Sequence, residues 1–298
     1  MSIQGAMLET KSKAQAATDF AMSIDVEDYF QVWAFSDVIS RESWDGYALR
    51  VEASTRRAID LFARTNSKAT FFCLGWVAEK CPSLIQAIVD NGHELASHGY
   101  DHTKVFDQTS EEFRADVAKT KKILENIAGI EVRGFRAAGF SIDQRTPWAH
   151  DVLAEEGYAY SSSSHPISHD HYGDPDAPTG PYFPTKSGVL ELPVATSTVM
   201  KHRVTCAGGG WFRAAPYAMT RGLLNKSRRQ RQGPTIFYFH PWEIDPDQPR
   251  INTASRARKF RHYLNLNTNE KKLERLLTDF SWGRIDQSAT ELQCRGGV

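Results

Sequence analysis

Residues 69–97 read Ala69-Thr-Phe-Phe-Cys-Leu-Gly-Trp-Val-Ala-Glu-Lys-Cys-Pro82-Ser-Leu-Ile-Gln-Ala-Ile-Val-Asp-Asn-Gly92-His-Glu94-Leu-Ala-Ser97. Ala69–Leu74 is an apolar run of strand length. Pro82 then opens a helical pattern that Gly92 stops, in the usual proline-first, glycine-last order, and Glu94–Ser97 starts a second strand. Strand, helix and strand in so short a span predict a parallel β/α unit. The same alternation continues outward in both directions. Upstream, Phe20–Val26 reads as a strand, and Ala58, Ile59, Leu61, Phe62 and Thr65 line one helical face. Downstream, Thr109-x-x-Glu112 forms a capping box ahead of a stripe of Phe113, Val117, Thr120, Leu124 and Ile127 that ends at Gly129. Further strand-like runs fall near Val132–Arg136, Tyr158–Ser161, Val189–Val194 and Thr235–Phe239. Seven strands around one core predict an α/β fold that closes, or nearly closes, into a barrel.

The composition excludes several classes. With 298 residues, 41% hydrophobic and 24% charged, the chain is neither disordered, collagenous nor a coiled coil. Lys plus Arg and Asp plus Glu stand at 36 each, which argues against a nucleic-acid partner or an anionic-membrane surface. No stretch nears the ~18 apolar residues of a transmembrane span, and residues 1–19 form a polar tail without the apolar core of a secretory signal. Cys73, Cys81, Cys206 and Cys294 make no CxxC pair, so a reduced, cytoplasmic protein is expected. The run Lys226, Arg228, Arg229 and Arg231 reads as a solvated helix end. Ser162–Pro184 is rich in Pro, Gly, His and Asp and is expected to be a long surface loop. After Pro249 a basic segment leads to a last helix, capped by Asn267-x-x-Glu270, with Leu273, Leu276, Leu277 and Phe280 on one face. The expected division is thus the tail 1–19, a barrel over 20–245 and an extension over 246–298 packed on it.

In parallel β/α barrels, reactive groups sit where strands end at their carboxyl side, and here four strand ends carry titratable side chains. In Asp25-Val-Glu27-Asp28, period two places Asp25 and Glu27 on one face. In His98-Gly-Tyr-Asp-His102, two imidazoles four apart are expected to converge on one face of a helical turn and to present themselves to a single ion. Together with the acids they suit a divalent metal that keeps an open position. Arg136, in Gly134-Phe-Arg136-Ala-Ala138-Gly-Phe140, can clamp a carboxylate. His240 ends an apolar strand, where a general acid could sit. A rival cluster of His165, His169, Asp170, His171 and Asp174 crowds the long loop but lacks a rigid scaffold.

This order of acidic strand end, His-x-x-x-His, arginine and late histidine resembles the polysaccharide deacetylases of the NodB-homology type (carbohydrate esterase family 4), from about Phe20 to Asp245. The strings 25–32, 69–76 and 237–245 are similar to a subgroup found with exopolysaccharide and exosortase-linked gene clusters, which carries its own C-terminal extension. The resemblance implies a distorted (β/α)7 barrel in which zinc or another divalent ion serves removal of N-acetyl groups from a polysaccharide or its lipid-linked precursor. It also implies association with exopolysaccharide assembly machinery. Carried over by position, Asp25 is the catalytic base, His240 the acid and Arg136 the residue orienting the base. His98 and His102 are metal ligands, with Glu27 the preferred third ligand and Asp28 the alternative. Trp148, Phe140 and Trp242 are the implied substrate contacts. Two departures stand out: Ala138 where the family usually has proline, and Ser164-His165 where the subgroup suggests apolar residues. An allantoinase-like amidohydrolase of a small cyclic amide and a non-catalytic sugar-binding module are the alternatives.

Overall fold

Every residue of β1 (Phe20–Val26) is buried, as expected of a strand covered on both faces. In this computed structural model, which describes residues 19–168 and 173–295, helix α1 (Val51–Arg64) follows, then β2 (Thr70–Cys73), α2 (Gly75–Lys80), α3 (Pro82–Asp90) and β3 (Glu94–Ser97). Next come α4 (Ser110–Ala128), β4 (Gly134–Phe135), α5 (Ala149–Glu155), β5 (Tyr160–Ser161) and β6 (Leu190–Glu191). Strands β1 to β6 pair in chain order and all in parallel. After the antiparallel hairpin of β7 (Thr196–Val199) and β8 (His202–Thr205) come α6 (Gly209–Ala214) and α7 (Tyr217–Gln230). Strand β9 (Thr235–Phe239) then lies parallel on the other edge of β1. The Ala195 N–H donates to the Ile236 carbonyl at 2.9 Å, which draws the chain after β6 toward β9 and nearly closes the ring. The seven predicted runs are therefore the seven staves, and the two-residue lengths of β4, β5 and β6 make the barrel a distorted one.

The C-terminal segment does more than pack on the outside. It forms α8 (Arg256–Tyr263), α9 (Leu266–Asp279), β10 (Trp282–Gly283) and α10 (Ile285–Cys294). Strand β10 pairs with Phe20 and Ala21 on the β1 edge that β2 takes up from Ser23 onward. The start of α10 then docks under the barrel: Ile285 N–H donates to Thr70 Oγ1 (2.8 Å) and Asp286 N–H to Glu94 Oε2 (3.0 Å). Glu94 is buried and also accepts from the Tyr160 hydroxyl at 2.6 Å. Burial, with the Asp286 charge behind it, pushes the Glu94 carboxyl up. Residue 134 has to be glycine, because a Cβ there would fall 2.3 Å from the Tyr160 oxygen.

Local signals hold where they rest on capping chemistry. Thr109 and Glu112 form the reciprocal capping box of α4, and Gly129 ends that helix with φ of 68°. Three expectations are corrected. The predicted cap at Asn267 is wrong: α9 starts at Leu266 behind Asn265, whose side chain instead donates to the Arg213 carbonyl at 2.9 Å. Residues 162–167 are buried rather than part of a surface loop, since they continue β5 into the barrel mouth. The Arg231 end of the basic run is only partly solvated, and its guanidinium donates to the Pro193 carbonyl at 2.9 Å.

Candidate active site

Strand register builds the site. Val26, Cys73, Ser97, Phe135 and Ser161 lie at one level across β1 to β5. The residues one step beyond this level therefore share a rim. Glu27, Leu74, His98, Arg136 and Ser162 are those residues, and His240 follows the end of β9 in the same way.

Arg136 is fully buried and organises the floor. Its Nη1 donates to Asp25 Oδ1 at 2.7 Å and to Ser23 Oγ at 2.8 Å, so Ser23 and Asp25 share the inward face that period two requires. Its Nε and Nη2 donate to the Ser162 carbonyl and hydroxyl, each at 2.9 Å, and the guanidinium lies over the Phe72 ring. Every face of the buried cation is thus occupied, which is the condition for such a pair to be tolerated in a core. The run Ser161–Ser164 serves this network. Ser163 Oγ accepts from Ala137 N–H, and the Ser163 and Ser164 N–H groups donate to Glu191 Oε1.

The Arg136 carbonyl also lies 2.8 Å from His98 Nδ1. The carbonyl can only accept, so Nδ1 carries the proton and Nε2 is left as a lone-pair donor, the arrangement typical of metal-ligating histidines. Burial, outweighing the nearby Asp25 charge, lowers the His98 pKa to about 4 and keeps the ring neutral. His102 does not reach the site on a helical turn. It ends a tight loop in which Gly99 (φ 75°) and His102 itself (φ 63°) adopt left-handed conformations. Asp116 anchors that loop by accepting from Tyr100 N–H at 2.6 Å.

His102 Nε2 lies 2.9 Å from Glu27 Oε2. Burial raises the Glu27 pKa, but the charges of His102 and His240 prevail and bring it to about 2. One ligand atom from each of Glu27, His98 and His102 falls within 4.8 Å of the others, a set of one carboxylate and two imidazoles that fits a divalent cation. Asp28 does not join them. It turns away and accepts from the N–H groups of Tyr29, Arg50 and Val51 (2.8–2.9 Å), holding the start of α1.

On the opposite wall, His240 Nδ1 lies 2.8 Å from Glu243 Oε1 and its Nε2 lies 4.0 Å from Asp25 Oδ2. Glu243 in turn accepts from Arg213 Nε at 2.8 Å. Burial alone would lower the His240 pKa; the carboxylates of Glu27, Glu243 and Asp25 instead bring it up to about 9.

An open pocket of about 640 Å³ lies over these groups, with Trp33, Lys104, Phe140 and Tyr238 among its walls. Phe140 is where a substrate contact was expected. Trp242 reaches the pocket but is chiefly structural: its indole N–H donates to Glu27 Oε1 at 3.2 Å, and its ring stacks between His240 and His262. Trp148 is misassigned, since it packs against Phe113 behind the sheet and does not line the pocket. Of the rival cluster, His165 is buried edge-on to Phe140. His169, Asp170 and His171 lie outside the described residues. Sequence reasoning missed Ser23, Ser162, Glu243, Arg213 and Lys104. Only Glu243, three residues after a strand-end histidine, carried a usable signal.

Residues 44–161 match the family profile described as polysaccharide deacetylase, and residues 162–290 match a domain of unknown function, DUF3473. A peptidoglycan-N-acetylglucosamine deacetylase of Bacillus cereus is 33% identical over 96 residues, which cover 32% of this chain and 35% of that protein. A chitooligosaccharide deacetylase of Azorhizobium caulinodans is 32% identical over 84 residues, 28% of this chain and 40% of that one. The matched stretch thus spans about a third of the length of these relatives. Among solved structures, a Mycobacterium smegmatis protein classed with the polysaccharide deacetylases superposes with a TM-score of 0.61 at 20% identity, covering 94% of this chain and 92% of that one. The PuuE allantoinase superposes with a TM-score of 0.56 at 17% identity, covering 92% and 90%. These two likenesses establish the fold.

Proposed function

From the match of residues 44–161 to the polysaccharide deacetylase profile, we propose that the chain is a metal-dependent N-deacetylase of N-acetylated sugars, acting on a polysaccharide or its lipid-linked precursor in exopolysaccharide biosynthesis. The observation that carries this reading is the meeting of Asp25, Glu27, His98, His102 and His240 on one barrel rim. Glu27, His98 and His102 would hold the cation, zinc being the first choice for two imidazoles and one carboxylate. When bound, it supplies Lewis-acid polarisation of the acetamide carbonyl and of a water.

The protein's own groups then divide the work. Asp25, held by Arg136 with Oδ2 left toward His240, takes a proton from the water as its oxygen bonds to the acetamide carbon. His240, held protonated by Glu243, gives its proton to the nitrogen as the C–N bond breaks, leaving acetate and a free amine. A cytoplasmic setting is part of this reading. The division into tail, barrel over 20–245 and extension belongs to the same proposal.

Acetate release from a panel of N-acetylated oligosaccharides, with chelator and with added zinc, tests it; allantoin is the control that the fold likeness supplies. Asp25→Asn and His240→Ala should each retain metal and lose about 10²–10⁴ in rate. Full activity in either variant rejects the assignment.

A further inference from the structure

The pocket wall facing the rim holds a cation that the deacetylation chemistry does not use. Lys104 follows the loop that delivers His102 and lines the same pocket. Its ammonium lies over the rings of Trp33 (4.5 Å) and Phe106 (5.1 Å), and no ion pair holds it among the described residues. Asp107 is the acidic group that faces it at longer range. The Arg145 guanidinium sits 3.6 Å from the Phe106 ring centroid but is paired with Asp143, which leaves Lys104 without a carboxylate partner among the described residues. Gly139, left-handed (φ 58°), flanks it: a Cβ there would touch the lysine stem at 3.8 Å, so the glycine leaves this side of Lys104 uncovered by a side chain.

An ammonium held beside aromatic faces, with no carboxylate on it, keeps N–H donors for a group that enters the pocket. It is half-buried and so has lost part of its hydration, which raises the return from meeting an anion there. A neutral N-acetylated glycan offers this group only uncharged acceptors, its hydroxyl and acetamide oxygens.

Resting on the deacetylase reading, we propose that Lys104 is a specificity-determining residue that selects N-acetylated saccharides carrying an anionic substituent, a carboxylate or a phosphate, beside the reacting acetamide.

The test compares three ligands of equal length: a neutral N-acetylglucosamine oligomer, an oligomer in which N-acetylhexosamine alternates with hexuronic acid, and an N-acetylglucosamine oligomer bearing a glycosyl phosphate. Each is measured by acetate release and, separately, by calorimetric binding. At least one anionic oligomer should show about tenfold higher kcat/KM than the neutral one, through KM, and tighter binding in the same ratio; which one distinguishes carboxylate from phosphate. Lys104→Met keeps the stem on the aromatic faces and should reduce that ratio toward one, whereas Lys104→Arg should preserve it. Equal handling of all three ligands, or a preference that survives Lys104→Met, overturns the inference while leaving deacetylation standing. Preferential binding that Lys104→Met removes, without acetate from any oligomer, upholds the inference and rejects the deacetylase reading.

Discussion

The Nδ1 of His98 rests 2.8 Å from the carbonyl of Arg136, the same residue whose guanidinium grips Asp25 at 2.7 Å. One residue therefore sets the tautomer of a candidate ligand through its backbone and the orientation of the candidate base through its side chain. Arg136→Lys should damage the second function and leave the backbone contact in place. It keeps the charge but cannot make the four hydrogen bonds to Asp25, Ser23 and Ser162. A loss of about 10²-fold or more in kcat is expected, accompanied by a lowered melting temperature, with acetate release and calorimetry as the readouts.

Metal binding separates the acids. His98→Ala and His102→Ala should each abolish stoichiometric zinc uptake, measured by elemental analysis after dialysis. Asp28→Ala should leave zinc uptake intact and instead cost about 2 kcal/mol of stability, because two N–H groups at the start of α1 and that of Tyr29 lose their acceptor. Zinc lost in Asp28→Ala would return that residue to the ligand set.

Arg213 and Glu243 form a buried pair behind His240. Arg213→Met strands the Glu243 carboxylate and should destabilise the fold by roughly 3–5 kcal/mol in denaturant titration. Glu243→Gln retains the shape and should lower kcat about 10–100-fold, as loss of an orienting partner does, without releasing metal.

Acid sensitivity has a candidate source away from the site. His93 is packed on Phe62 and Phe71 and accepts from Ala69 N–H through Nδ1. Burial, helped by the charges of Lys68 and Arg284, lowers its pKa from 6.5 to about 3. The folded state therefore favours the neutral ring. Its contribution is complete above the unfolded pKa of 6.5 and is lost as pH falls from there toward 3. Between about pH 7 and pH 5 the native protein should lose stability at up to ~1.4 kcal/mol per pH unit from this group, and His93→Gln should show a shallower slope in thermal melts.

The barrel strands and the rim were legible because burial on both faces leaves continuous apolar runs, and because parallel register turns each strand's next residue into a neighbour of the others. The hairpin β7–β8 escaped notice because its turn uses Met200 and Lys201 at positive φ, where the usual signal would be Asn-Gly. The destination of Asp28 was equally hidden. Three adjacent acids look alike in one dimension, and only the approach of Arg50 and Val51, more than twenty positions away, decides which of them is drawn out of the site. Trp148 failed for a related reason: an aromatic at a loop end can face the groove or the back of the sheet, and its partner Phe113 lies on a distant helix.

The placement of β10 beside the first strand bears on how the protein is made. Among the described residues Phe20 finds its strand neighbours at Thr235 and Trp282, so β1 waits for more than two hundred further residues before both its edges are occupied. Such long-range pairing slows folding and leaves sticky strand edges exposed during synthesis. Nascent chains stalled before residue 282 should therefore depend on chaperones and be cut readily by proteases, with resistance arriving late and abruptly.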